Sequence, residues 1–201
     1  MQRNAFLENL WQAAHTAQVY TQQKYPDILC RTGCNACCKS HGSPMTFAVE
    51  WQAIQQHLEA HPEKKAAIRT RYLALRKELH SRLVLEDPTL SQALFEVRCP
   101  FIAVNTVQES DADEPLPVGE YCSIYDVRPT TCRVFGNTVL EQPVQSGEAI
   151  YACNPEKDRW ETLLPMAVEL PLRHTFFKDL EATGSPRSLL QFLAAFLDAS
   201  C

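Results

Sequence analysis

Glycine is scarce in this chain. There are six in 201 residues, and none falls in a GxGxxG or phosphate-loop arrangement, so the usual backbone cradles for nucleotides are missing. Long apolar runs are absent too. No segment reaches the roughly 18 consecutive apolar residues needed to span a bilayer. The opening MQRNAFLENLWQAAHTAQVY breaks its apolar residues with polar ones too often for a signal peptide. Basic excess is also lacking: 19 Lys and Arg stand against 24 Asp and Glu, a net charge of -5. A binder of nucleic acid or of an anionic membrane surface would carry a basic face, so neither partner is expected. No GxSxG frame orients a serine nucleophile and no HExxH presents a pair of histidines. No internal repeat and no regular alternation of strand and helix announces a solenoid, a barrel or a doubly wound sheet.

What the chain does have is cysteine. Nine occur, four of them in the nine residues CRTGCNACC from Cys30 to Cys38. With no secretory signal, the expected compartment is the cytosol, where thiols are kept reduced and a dense set is better explained by metal or redox chemistry than by disulfides. Cys99, Cys122, Cys132 and Cys153 follow singly, and Cys201 closes the sequence as a tail thiol left out of the site.

A buried cysteine is often only a small core hydrophobe, but the run does not ride an apolar face. Its neighbours, ArgThrGly, AsnAla and LysSerHisGly, are polar and turn-forming. Gly33 and Asn35 tolerate left-handed backbone, which lets a tight loop converge several sulfurs. Crowded thiolates repel and require cations, protons or oxidation to coexist. A metal ion or cluster meets that requirement most directly, so Cys30, Cys34, Cys37, Cys38, Cys99, Cys122, Cys132 and Cys153 are the candidate metal ligands.

The candidate cofactors are an iron-sulfur cluster or zinc. Structural zinc takes four tetrahedral ligands, and eight cysteines suffice for two such sites. The adjacent Cys37 and Cys38 point apart unless the backbone bends sharply, which argues for a polynuclear centre or two neighbouring sites. An all-cysteine donor set also suits iron-sulfur ligation, and ligand type alone leans that way. Tyr125 and Arg128 are candidate cofactor-binding residues, the guanidinium donating to a sulfur or an anion, although Arg-Pro is equally a helix-start turn. His41 is the histidine nearest the run and reads best as a solvated loop residue.

The blocks CysArgThrGlyCysAsnAlaCysCys, CysProPhe from Cys99 to Phe101, and CysSerIleTyrAspValArgProThrThrCysArgValPhe from Cys122 to Phe135 resemble the CxxCxxCC cysteine-cluster family, the YkgJ-like proteins described as zinc- or iron-chelating domains. The resemblance runs from about Cys30 to Cys153. One departure is a first gap of three residues, Arg31 to Gly33, instead of two. The resemblance implies metal binding without assigning a reaction. Some relatives are labelled iron-sulfur proteins, and a related cluster in flagellin lysine N-methylases implies one enzymatic alternative, the other being a structural zinc interaction module. The Cys30-x3-Cys34-x2-Cys37 spacing also resembles the cluster motif of radical S-adenosylmethionine enzymes. Ala36 stands where that family usually has an aromatic, and no partial barrel is in view.

The expected fold is mainly α, or α+β: one domain over residues 1–201, with helices around an irregular cysteine-rich centre at 30–153 and a small β-hairpin. Phe6, Leu10, Ala14 and Ala17 recur at helical spacing, as do Phe47, Trp51, Ile54 and Leu58. Pro62 suits a first helical position, and Ile68, Tyr72, Leu75, Leu79 and Leu83 mark a long helix ended by Asp87-Pro88. Phe101 to Val107 and Gly119 to Ile124 read as the hairpin strands, separated by the acidic run from Glu109 to Glu114. Leu189, Leu190, Leu193, Phe196 and Leu197 mark a C-terminal helix over 186–199, opened by Gly184-Ser185-Pro186.

Overall fold

A computed structural model describes residues 4–30, 34–40, 42–85, 98–105, 119–163 and 169–198, with side chains at 79–85 excepted. The acidic run, His41, Gly33, Leu79, Leu83, Asp87-Pro88 and Cys201 lie outside the described residues or side chains. The helices are α1 (Ala5–Lys24), α2 (Ala36–Ser40), α3 (Ala48–Ala60), α4 (Pro62–Leu85), α5 (Thr130–Val134), α6 (Asn154–Leu163), α7 (His174–Glu181) and α8 (Leu189–Asp198). Four short strands accompany them: β1 (Met45–Thr46), β2 (Ile102–Asn105), β3 (Gly119–Cys122) and β4 (Arg187–Ser188). The fold is mainly helical with small sheets.

The chain divides into two compact units, each assembled from interleaved segments. The first takes residues 1–34, 45–53 and 128–187; the second takes 35–44, 54–127 and 188–201.

In the first unit, α1 begins where the Asn4 side chain accepts the Phe6 N–H at 3.0 Å, satisfying one of the donors a helix start leaves over. Its buried face is Leu7, Trp11, Ala14, Gln18 and Thr21. The helix is the expected one, but its inward stripe is turned by about one residue, with Phe6, Leu10 and Ala17 on the flank. The rotation has a cause: Trp11 buries more apolar surface than Leu10 and carries the Arg133 guanidinium over its ring at 4.4 Å. Helix α5 packs on α1 and also meets α7 and β1.

The apolar core of this unit surrounds Trp160, with Tyr25, Ile28, Val139, Ile150, Ala152 and Leu170. Tyr25 meets the indole edge-on at 4.9 Å. Phe47 and Trp51 start the buried face of α3 as read. There the buried Glu50 accepts from Thr46 Oγ1 at 3.1 Å, Phe47 N–H at 3.1 Å and Thr130 N–H at 2.6 Å. One carboxylate thus joins β1, the start of α3 and the start of α5.

In the second unit, Ile54 and Leu58 continue α3, and Ile68, Tyr72 and Leu75 form the buried stripe of α4, which opens with Pro62. The hairpin is present: β2 and β3 pair antiparallel, from Ile102 opposite Cys122 to Asn105 opposite Gly119. Its base is fastened by Ser123, whose N–H and hydroxyl both donate to the Phe101 carbonyl, at 2.9 and 2.8 Å. Helix α8 buries Leu189, Leu190, Leu193 and Leu197, each worth about 1.5–3 kcal/mol once removed from water. Phe196 is half-buried, under the Lys65 ammonium at 4.4 Å. The helix starts later than expected, because its cap is Ser188 and not Ser185. Ser188 Oγ accepts from Leu190 N–H at 3.2 Å while Gln191 reaches back to Ser188 N–H at 3.1 Å, a reciprocal capping box.

Candidate metal centre

The boundary between the units falls inside the cysteine run, between Cys34 and Asn35. A single stretch of sequence therefore divides its thiols. Cys30, Cys34, Cys132 and Cys153 lie in the first unit, and Cys37, Cys38, Cys99 and Cys122 in the second. All eight are thiols and none is in a disulfide; Cys99 is buried and Cys34 is exposed.

In the second unit the single turn of α2 carries Cys37 and Cys38, whose sulfurs are 4.0 Å apart. The two neighbouring thiols thus approach one another within a helical turn. Cys38 also accepts, at its carbonyl, the Cys99 N–H at 2.9 Å, and Cys122 ends β3 opposite Ile102. The Cys37 thiol, donating, pulls the Cys38 thiol down. The Cys99 thiol, burial, and the charges of Cys99 and Cys122 outweigh it and hold Cys38 well above the usual thiol range. Such a site disfavours a lone thiolate and favours one shared with a cation.

Basic residues flank these sulfurs. Lys39 and Arg98, each next to a cysteine in sequence, both pair with Glu120 on β3. They hold the Glu120 carboxyl below the usual carboxylate range, Lys39 most strongly. An open cleft of about 540 Å³ adjoins Cys99 and is lined by Arg71, Leu75, Glu78, Arg98, Ile102 and Glu120 among others. Arg71 donates from Nε to the Pro100 carbonyl at 2.7 Å.

In the first unit Cys30 is fixed on three sides. Its thiol donates to the Phe135 carbonyl at 3.2 Å. Its N–H donates to Glu156 Oε2 at 3.1 Å, beside that of Leu29 at 2.8 Å. Against its side chain lies Gly136, with φ +82°, where any Cβ would collide with Cys30 Sγ and Cβ. Only glycine suits both the left-handed backbone and the close approach. Cys132 sits on α5, one turn before Phe135. Cys153 precedes α6, and its carbonyl accepts the N–H of Glu156 at 3.0 Å and of Lys157 at 2.9 Å.

Glu156 is the residue that cysteine counting overlooks. It is 1% exposed. Burial pushes its carboxyl up, the N–H groups of Leu29 and Cys30 oppose that, Cys34 adds to it, and Trp160 opposes it. Its signal in the sequence is a Glu three residues after Cys153 in CysAsnProGlu, a helix-start pattern that reads as capping alone.

Among the described residues, no three Cys, His, Asp or Glu side chains converge tightly enough to hold an ion as they stand. The donor chemistry nevertheless fits a metal: four thiols in each unit, the Cys38 thiol pushed up by its neighbours and by burial, and a buried carboxyl in the first. Of the two candidate cofactor-binding residues, Tyr125 stands in the 3₁₀ turn Tyr125–Val127 just after Cys122. Arg128 is buried in the first unit, donating to Gln18 of α1 at 3.2 Å and accepting the Arg133 Nε–H at its carbonyl at 2.9 Å. No described helix is long and apolar enough to cross a membrane.

No curated protein and no solved structure matches the chain. A family model does, over residues 29–156, more than half of the chain; its description reads "CxxCxxCC: Putative zinc- or iron-chelating domain". The chain belongs to the CxxCxxCC family of zinc- or iron-chelating domains.

Proposed function

We propose that this protein binds metal through its cysteine thiolates, and that Cys37, Cys38, Cys99 and Cys122 hold a single tetrahedral ion, zinc before iron. The observation that carries this reading is the 4.0 Å separation of the Cys37 and Cys38 sulfurs. Zinc–thiolate bonds of about 2.3 Å set the sulfurs of a tetrahedral site about 3.8 Å apart. A four-iron cluster gives each iron one thiolate and holds its ligand sulfurs farther apart, whereas a two-iron cluster puts two thiolates on each iron and shares this spacing. Ligand type alone leans to iron-sulfur; the spacing of these two sulfurs fits two thiolates on one metal ion and so favours a single ion over a four-iron cluster.

When bound, zinc supplies a charge that lets four thiolates coexist, with no redox chemistry. The chain's own residues do the rest. The Cys99 N–H to Cys38 carbonyl bond fixes two cysteine-bearing segments to one another, and Glu120 pairs with Lys39 and Arg98, each next to one of these cysteines in sequence.

A second reading has one observation in its favour. The open cleft against Cys99 is what a redox centre reached by a small reactant would use. Elemental analysis with a visible spectrum, on protein purified without oxygen, separates the two. Zinc with no colour is the expected result. Iron and sulfide in comparable amounts with a brown chromophore would replace the zinc reading with the redox one. Absence of any metal, with all thiols titrating, would overturn both.

A further inference from the structure

We infer that the cleft beside Cys99 in the second unit binds a small monocarboxylic acid with an apolar body, whose carboxylate pairs with the guanidinium of Arg71. No cysteine thiolate takes part, so the inference goes beyond the metal-binding reading and does not depend on it.

Two elements turn one face each towards the cleft. From α4 come Arg71, Ala74, Leu75 and Glu78, the i, i+3, i+4 and i+7 positions of one helical face. From the hairpin come Ile102 and Val104 of β2 and Glu120 of β3. Ile102 and Val104 are alternate residues of their strand and Glu120 is the partner of Val104, so all three share one face of the pleat. The space of about 540 Å³ falls within the range of roughly 300–1,000 Å³ that small-molecule sites occupy.

Arg71 is the group in this cleft that lacks a counter-charge. It is half-buried, and its Nε donates to the Pro100 carbonyl at 2.7 Å, which fixes the plane of the guanidinium. Among the described residues that is the one side-chain hydrogen bond Arg71 makes, and no carboxylate forms an ion pair with it. Burial pushes the guanidinium down, Tyr121 and Cys99 oppose that, and Arg98 adds to it. A partly desolvated guanidinium held in one plane, with its terminal N–H groups to spare, matches the two oxygens of a carboxylate.

The other charges of the cleft set the charge of the ligand. Arg98 is engaged by Glu120, which also holds Lys39. Glu78 is exposed and stands about 10 Å from Arg71 along the helix axis. With one guanidinium to satisfy and two carboxylates in the same cleft, a single negative charge is favoured. A dianion such as phosphate would bring a further charge towards Glu78 and Glu120. Between the charged groups, Leu75, Ile102 and Val104 present apolar surface, Val104 with 61% of its area exposed, and an apolar body would remove that surface from water.

The test is NMR titration of the full-length, nitrogen-15-labelled protein as purified, with hexanoate as the probe and 1-hexanol, acetate and inorganic phosphate as comparisons. Hexanoate should give saturable shifts at the amides of Ala74, Leu75, Ile102 and Val104, with each of the other three binding about tenfold or more weakly. Arg71→Gln should weaken hexanoate about tenfold or more. Ala74→Phe fills the cleft from an exposed helix position while leaving Arg71 in place, and should abolish binding; unshifted amides elsewhere verify that each variant is folded. Hexanol binding as well as hexanoate would reduce the cleft to an apolar patch and overturn the inference. Acetate or phosphate binding as well would reduce it to a surface anion contact, with the same result. Absence of saturable shifts, or full hexanoate affinity in either variant, would also overturn it. Should Arg71→Gln fail to fold, Ala74→Phe and the comparison of the four probes decide the matter.

Discussion

The backbone N–H of Cys99 donates to the carbonyl of Cys38 at 2.9 Å, so two cysteines distant in sequence are fixed to one another through the main chain and their thiols share one environment. That environment dictates a pH dependence for the metal-free protein. The Cys38 thiol is held above its ordinary value in the folded state, so the folded chain keeps a proton that the unfolded chain gives up near pH 8.5. The stabilisation is complete below that pH and is lost as pH rises towards the higher folded-state value. Urea unfolding of metal-free protein under reductant between pH 7 and 10 should show stability falling above about pH 8.5. A flat profile would contradict the shared environment. Loaded protein should behave in the opposite sense, releasing metal on acidification as protons compete for the thiolates.

Glycine 136 gives a second prediction. Gly136→Ala places a side chain at φ +82° and against Cys30, a strain of about 1–3 kcal/mol. The variant should melt at a lower temperature than the wild type. An unchanged melting temperature would count against the placement of Cys30.

Replacing Glu50 tests the scaffold apart from the sulfurs. Its carboxylate satisfies Thr46 Oγ1 and the N–H groups of Phe47 and Thr130. Glu50→Ala leaves three donors stranded, and a loss of about 2–4 kcal/mol is expected by denaturant titration. A change below about 0.5 kcal/mol would mean the network is dispensable.

Glu120 provides a graded electrostatic test. It pairs with Lys39 and Arg98 on an accessible face, so its effect should be modest and screened by salt. Glu120→Gln is expected to speed zinc loss to a chelator about two- to fivefold at low ionic strength, with the difference vanishing at high salt. An effect that persists in high salt would point to a structural cause.

How much of this was legible in the sequence depended on how local the determinant was. The long helices and their main apolar stripes follow from periodicity, and the hairpin from two β-prone runs either side of a charged one. The face of α1 slipped because Trp11 outcompetes Leu10, a packing outcome that spacing alone does not rank. The start of α8 slipped because two serines compete as caps and tertiary contact decides: Ser188 bonds Ser43 Oγ at 2.9 Å. The candidate ligands could be named one by one, yet the division of the run at Cys34 and Asn35 could not, because it depends on which distant segments close around each half. Glu156 was invisible for the same reason. Its partners Leu29 and Cys30 are far away in the chain, and nothing beside it marks it as buried.

The interleaving of the two units has a consequence for how the protein is made. The first unit is incomplete without residues 128–187 and the second without 188–198, so neither can close while the ribosome is still adding those stretches. At about 5–20 residues per second, the run from Cys30 to Cys38 waits many seconds as an open thiol array before its distant partners exist. Neither unit can therefore be cut out as a continuous fragment and expressed alone.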